Sequence, residues 1–146
     1  MIYLASDHRG FELKGRIKEW LMEWGQTYED CGPESYDPED DYPDYVHAAA
    51  ANVADEPGTR RAIILGATGQ GEAMVANRYP GVRAAVYYGG TKDIVTLSRE
   101  HNDANVLALG AAFLSPDEVK LAVRLWLDTT FSGDERHVRR INKIDR

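Results

Sequence analysis

The residues best placed to do chemistry stand in Gly66-Ala67-Thr68-Gly69-Gln70-Gly71-Glu72. Three glycines let the chain turn sharply and let a ligand approach the backbone closely. The N–H groups of such a turn, beside a helix N-terminus, form a cradle for negative charge. That charge is either a phosphate already on the ligand or an oxyanion that develops during a reaction. Glu72 favours the second option. A carboxylate beside an anion cradle is badly suited to holding a phosphate and well suited to moving a proton next to a developing oxyanion. The helix dipole alone also accounts for an acid in a first turn, and at this point both readings stand. The stretch lacks the Gly-Lys-Ser/Thr of a P-loop and is not a clean dinucleotide fingerprint.

Four histidines, at 8, 47, 101 and 137, are the other candidates for proton work. His8 follows an apolar run and stands beside Asp7, which marks it as functional. His47 lies in an Ala-rich segment and reads as structural or exposed. His101 sits in Ser98-Arg99-Glu100-His101-Asn102-Asp103, at an expected helix C-terminus, where simple capping competes with a chemical role. His137 belongs to Arg136-His137-Val138-Arg139-Arg140. That run reads either as a solvated basic tail or as a phosphate grip. Arg136 and Arg140 are four residues apart on one helical face, a pairing suited to bidentate phosphate recognition. Asp7, His8 and Asp41 could in principle ligate a metal, but no spacing such as His-Glu-x-x-His occurs. No metal is expected.

The elements that must position these residues alternate. Apolar runs at Met1–Ser6, Ala62–Leu65, Val82–Tyr88 and Asn105–Leu109 read as strands, with a weaker one at Thr27–Asp30. Helical spacing recurs at Leu13, Ile17, Trp20, Leu21 and Trp24, with Gly25 as a stop. Residues 32–44 read as a surface loop, followed by a helix from about Tyr45 to Ala54. Further helices are expected from Ala73, from Thr91 to about His101, and after the capping box Ser115-Pro116-Asp117-Glu118. Val138, Ile141 and Ile144 stripe the basic tail. This alternation predicts a single α/β domain over residues 1–146: a three-layer α/β/α, Rossmann-like fold with a five-stranded parallel sheet and a basic helical tail. Strand C-terminal ends then share one edge, where ligands bind, and the loops after strands one, three and five converge there.

Whole-chain properties narrow the partners. The 146 residues carry a net charge of −7, which argues against nucleic acid. No apolar run is long enough to span a membrane and no signal-peptide pattern is read, so a cytoplasmic protein is expected. Cys31 is the only cysteine, which excludes an internal disulfide and a cysteine-based zinc cluster.

Taken together, Ser6-Asp7-His8-Arg9-Gly10-Phe11-Glu12-Leu13-Lys14, Asp41-Tyr42-Pro43, Gly69-Gln70-Gly71-Glu72, Ser98 to Asn102 with Asn105-Val106-Leu107-Ala108, and Arg136-His137-x-x-Arg140 resemble the type B ribose-5-phosphate isomerases and the related galactose-6-phosphate and allose-6-phosphate isomerases. The match runs through nearly the whole chain in order. The resemblance implies a cofactor-free aldose–ketose isomerase of sugar phosphates, working through a cis-enediolate. It also implies a homodimer, or a tetramer, with each active site built from two subunits. One branch of that family carries a cysteine base after the third strand. Here that position is Gly66, which points to the branch with glutamate at the Glu72 position as base. By resemblance His101 opens the sugar ring, and Asp7 and Thr68 hold ring hydroxyls. The turn Gly69, Gln70, Gly71 stabilises the enediolate. His8, Arg136, His137 and Arg140 hold the phosphate, and Asn102 the sugar. The family commonly shows Gly-x-Arg after the fifth strand, whereas this chain has Gly110-Ala111-Ala112. Either Arg9 or another basic residue compensates, or the substrate is another sugar: a tetrose or hexose phosphate, or an unphosphorylated one. A non-catalytic module that binds a phosphorylated ligand is the reading from another class, and it has no use for Glu72 and His101 together.

Overall fold

The computed structural model describes all residues 1–146. Five strands form one parallel sheet: β1 (Ile2–Ser6), β2 (Tyr28–Asp30), β3 (Arg61–Gly66), β4 (Ala84–Tyr87) and β5 (Val106–Gly110), in the order β2-β1-β3-β5-β4. Six helices connect and flank them: α1 (Phe11–Glu23), α2 (Tyr42–Asp55), α3 (Gln70–Ala76), α4 (Asp93–Glu100), α5 (Pro116–Asp128) and α6 (Glu135–Ile141). A short 3-10 turn, Ala111–Phe113, follows β5.

Strand residues alternate between the two faces of the sheet, and the two faces differ in residue size. Ile2, Leu4, Ile63, Leu65, Leu107 and Leu109 pack with Ile17, Trp20 and Leu21 of α1 and with Val119, Val123 and Trp126 of α5. On the other face Ala5, Ala62, Ile64 and Ala108 meet Val46, Ala49, Ala50 and Val53 of α2 and Ala73 and Ala76 of α3. The result is the expected three-layer sandwich. Each fully buried leucine or isoleucine here contributes about 1.5–3 kcal/mol from burial. The capping box at α5 is present as read: Ser115 Oγ accepts from the Glu118 N–H at 3.2 Å, and Glu118 Oε2 accepts from the Ser115 N–H at 2.7 Å.

Several boundaries move. Helix α2 begins at Tyr42, three residues before the expected start, because Pro43 sits in its first turn and needs no amide partner there. Helix α3 begins at Gln70 rather than Ala73, so Gly71 and Glu72 belong to it. Strand β4 is shorter than the apolar run Val82–Tyr88, and α4 spans Asp93–Glu100 with His101 as its C-cap. Val82 still buries itself, as a loop residue in the α2/α3 core.

Parallel pairing gives the sheet two unlike edges. Ala62 pairs with Val106 at one end of the central strands and Gly66 with Gly110 at the other. Five residues at about 3.3 Å each separate the two edges by roughly 15 Å.

Candidate active site

At the C-terminal edge, the loops after β1, β3 and β5 lock into one another. The Asp7 N–H donates to the Leu65 carbonyl at 3.4 Å and the Ala112 N–H to the Ala67 carbonyl at 3.0 Å. Gly69 adopts a left-handed conformation at φ +76 and lies against the Ala108–Leu109 backbone, where a Cβ would come within 3.0 Å; glycine alone suits that position. The Thr68 hydroxyl accepts from the Gln70 N–H at 3.3 Å. The N–H groups of Gly69 and Gly71 have no partner within the chain. Such free amides are the donors an oxyanion needs.

Glu72 lies within this cradle, 3% exposed. Its carboxylate occupies the space above Gly66, and a Cβ built on Gly66 would overlap the carboxylate itself. Burial raises the Glu72 pKa above its ordinary value; a hydrogen bond from its own backbone N–H opposes the rise and the nearby Asp7 charge adds to it. A carboxyl raised in this way is better matched to proton transfer near neutral pH than an ordinary glutamate. Asp7, also buried, accepts from the Arg9 N–H at 2.9 Å and from the Gly10 N–H at 3.3 Å, closing the turn that starts α1.

His8 is held by a residue that the sequence reading passed over. Asp40 Oδ1 accepts from the His8 N–H at 2.9 Å and lies 2.7 Å from His8 Nδ1. The acid beside His8 is therefore Asp40, and Asp41 instead stands at the N-cap position of α2, with no side-chain capping bond. Ligand atoms of Asp7, His8 and Asp40 lie within 4.8 Å of one another. They are spent on each other, however: Nδ1 and Oδ1 pair, and Asp7 Oδ1 serves two amides. The loop that delivers Asp40 is anchored by Lys14. That side chain is 2% exposed and donates to Asp30 Oδ1 at 2.7 Å and to the Pro33 carbonyl at 2.9 Å. Burial lowers the Lys14 pKa and the Asp30 contact opposes the fall. Cys31, in the same loop, has its thiol pushed up to about 11 by burial and by Glu29 and Asp30. It remains a neutral thiol at ordinary pH, unfit to act as a base.

The other candidate residues gather at the N-terminal edge. His101 ends α4 and leads through Asn102 into the start of β5. Its ring stacks on that of His137 from α6, with centroids 4.3 Å apart and planes 18° from parallel. Desolvation, then the proximity of His101, lowers the His137 pKa. Arg83 fastens the loop by donating from Nε to the Asn102 carbonyl at 2.9 Å and from Nη2 to the Asp103 carbonyl at 2.9 Å. Arg99 holds Asp103 and the Ala104 carbonyl at 2.8 and 2.7 Å. Asp103, thus pinned, tolerates a positive φ of 45. His101, Asn102, Arg136 and Arg140 are exposed. Within one chain, then, Asp7, His8 and Thr68 to Glu72 come together at one edge, and His101, Asn102, Arg136, His137 and Arg140 at the other.

Residues 2–144 match the model of the ribose/galactose isomerase family. The chain belongs to that family. Among its relatives, the ribose-5-phosphate isomerase B of Mycobacterium tuberculosis is 39% identical over 141 residues, covering 97% of this chain and 85% of the relative. The crystal structure of ribose-5-phosphate isomerase B from Mycoplasma genitalium, solved with ribulose 5-phosphate bound, superposes with a TM-score of 0.94 at 38% identity, over 99% of this chain and 93% of that one. The enzyme from Thermotoga maritima superposes with a TM-score of 0.90 at 39% identity.

Within this ribose/galactose isomerase family member, sequence reasoning missed Asp40 and Lys14. Asp40 stands in Pro38-Glu39-Asp40-Asp41, and only the path of the loop decides which acid reaches His8. Lys14 gave a clear but unused signal: it falls on the apolar face of α1, between Leu13 and Ile17, where a lysine must find a buried partner.

Proposed function

We propose that this chain is a cofactor-independent aldose–ketose isomerase that interconverts ribose 5-phosphate and ribulose 5-phosphate, with Glu72 as the base. The observation that carries the reading is the buried Glu72 carboxylate, set over Gly66 beside the free amides of the glycine turn. The names borne by the relatives from Mycobacterium tuberculosis and Mycoplasma genitalium support the substrate. Glu72 takes the proton from C2 of the open-chain aldose, and the electron pair moves onto O1. The cis-enediolate so formed lies against the Gly69 to Gly71 amides and the Thr68 hydroxyl, which stabilise charge only as it develops. Glu72 returns the proton to C1, while a second proton passes from O2 to O1. The net change moves one hydrogen between carbons and one between oxygens, and no oxidant is consumed.

Ring opening and phosphate binding fall to His101 and to Arg136, His137 and Arg140, with Asn102 on the sugar. In one chain these stand at the opposite edge of the sheet from Glu72. The proposal therefore includes a homodimer in which the N-terminal edge of one subunit completes the C-terminal edge of the other. The exposed apolar side chains Met74, Ile94, Leu97, Val138 and Ile144 are the kind of surface such a contact covers. No helix is long and apolar enough to cross a membrane, and a cytoplasmic site of action is part of the same reading.

A second reading keeps the chemistry and changes the sugar. Ala112 is exposed at the cradle edge, so the site has space where the family commonly carries an arginine. Turnover measured on tetrose, pentose and hexose phosphates and on their unphosphorylated counterparts tests both readings. Ribose 5-phosphate should give the highest kcat/KM. A tetrose or hexose phosphate outrunning it would transfer the assignment to the second reading, and no isomerisation of any sugar would end both.

A further inference from the structure

The C-terminal edge is an acidic place to receive a dianion. Asp7, Asp40 and Glu72 surround it, and the loops that follow the five strands contain only two cations, Arg9 and Lys92. Lys92 follows β4, the outermost strand. Arg9 follows β1, next to His8, in a turn fixed by the two amide bonds to Asp7. Its side chain is exposed and no carboxylate, carbonyl or aromatic ring engages its guanidinium. It lines two cavities at once. One, of about 530 Å³, it shares with His8 and Tyr36; the other, of about 210 Å³, with Ala111 and Leu114. Glu12 borders both cavities without closing an ion pair on Arg9.

We propose that Arg9 is a phosphate-binding residue of this chain, gripping the substrate's phosphate from the cradle side. A free guanidinium offers paired donors matched to phosphate oxygens. Its backbone is already ordered by the Asp7 turn, so little but side-chain freedom is lost on binding. It stands where the arginines of α6 on the same chain do not reach, and where Ala112 contributes no charge. The inference rests on the sugar-phosphate isomerase reading, and it adds a binding residue that the motif comparison left undecided.

The test uses the intact protein, Arg9→Ala, and Arg16→Ala as a control. Arg16 lines the smaller cavity but lies over the Trp20 ring, 5.9 Å from its centroid. Inorganic phosphate binding is measured by calorimetry and ribose 5-phosphate turnover by steady-state kinetics. Arg9→Ala should weaken phosphate binding and raise KM, each by roughly tenfold to a hundredfold, the loss of one charge-assisted contact; kcat should fall much less. Arg16→Ala should leave both near wild type. Phosphate affinity and KM within twofold of wild type in Arg9→Ala would overturn the proposal, as would an equal loss in Arg16→Ala, which would mean diffuse charge rather than a contact. A wild-type protein that binds phosphate through Arg9 yet isomerises none of the sugars tested would uphold this site and remove the isomerase reading instead.

Discussion

At the C-terminal edge of the sheet the decisive groups are buried and placed by backbone: Glu72 over Gly66, the Gly69 turn against β5, Asp7 closing onto the start of α1. At the N-terminal edge they are exposed and placed by other side chains, with Arg83 and Arg99 pinning the loop that carries His101 and Asn102. The difference suits the roles proposed for the two edges. A base that removes a weakly acidic carbon-bound proton works best in a dry, rigid site where its pKa is raised and the oxyanion donors need no reorganisation. Groups proposed to meet a phosphate and open a ring need charge and reach, and an exposed position supplies both. The contrast can be broken at either edge.

The largest effect is expected at Glu72. Glu72→Gln keeps the shape and removes the base, so kcat for ribose 5-phosphate should fall by about 10²–10⁴ with KM little changed. Turnover near wild type would take Glu72 out of the mechanism. Gly66→Ala tests placement rather than chemistry. The new methyl claims the space of the Glu72 carboxylate, and displacing a reacting group by about an ångström costs about 10²-fold. An unaltered kcat in a variant whose melting temperature also matches wild type would mean the carboxylate works from somewhere else.

The opposite edge should respond differently to the choice of substrate. His101→Ala should cost about 10²-fold on a sugar phosphate that arrives as a ring, and far less on a tetrose 4-phosphate, which cannot close the same ring. Equal losses on both would contradict a ring-opening role. Mixing Glu72→Gln with His101→Ala probes the assembly. If subunits exchange at random, about half the dimers are mixed, each with one intact site, and about a quarter of wild-type activity returns. No recovery despite proven exchange would place both residues in one subunit's site.

The fold was legible because nearly every signal agreed. Apolar runs of four to seven residues alternated with helical spacing, Ser115 to Glu118 marked a helix start, and Gly25 a stop. The C-terminal edge was legible too, since strand, glycine turn and acid are contiguous from Ala62 to Glu72. What stayed hidden depends on contacts far apart in the chain. His8 and Asp40 are 32 residues apart, and no local pattern selects Asp40 over Asp41. The helix start at Tyr42 was masked by the polar run before it, although Pro43 is at home in a first turn. The stacking of His101 on His137 joins two segments that each read as a candidate site, with nothing in either sequence to pair them. Their separation from Glu72 follows from topology alone: α4 must end where β5 begins.

A weaker effect is expected at Ala112. Introducing arginine there adds a cation beside the loop after β3, to which residue 112 is already bonded through Ala67. If ribose 5-phosphate is the substrate, Ala112→Arg should lower its KM by up to roughly tenfold. A variant with poorer ribose 5-phosphate turnover would favour a bulkier natural sugar, which needs the space alanine leaves.

The smallest effect should appear without any substrate. The folded protein raises the Glu72 pKa above its ordinary 4.5, chiefly by burial, so over the window between the two values the native state binds more protons than the unfolded one. Stability then falls as pH rises through that window, because ionising a buried carboxylate is harder than ionising an exposed one. Below pH 4.5 both states hold the proton and the penalty is absent; above the raised pKa it is complete and constant. Glu72→Gln carries no such proton. Its stability relative to wild type should increase from pH 4 upward and then level off, while groups not coupled to Glu72 cancel between the two proteins. Urea midpoints measured for both across that range provide the check. A difference that does not change with pH would mean that the buried cradle imposes no cost on the charged base. The contrast between the two edges would then be one of exposure alone, with no energetic penalty stored at the catalytic one.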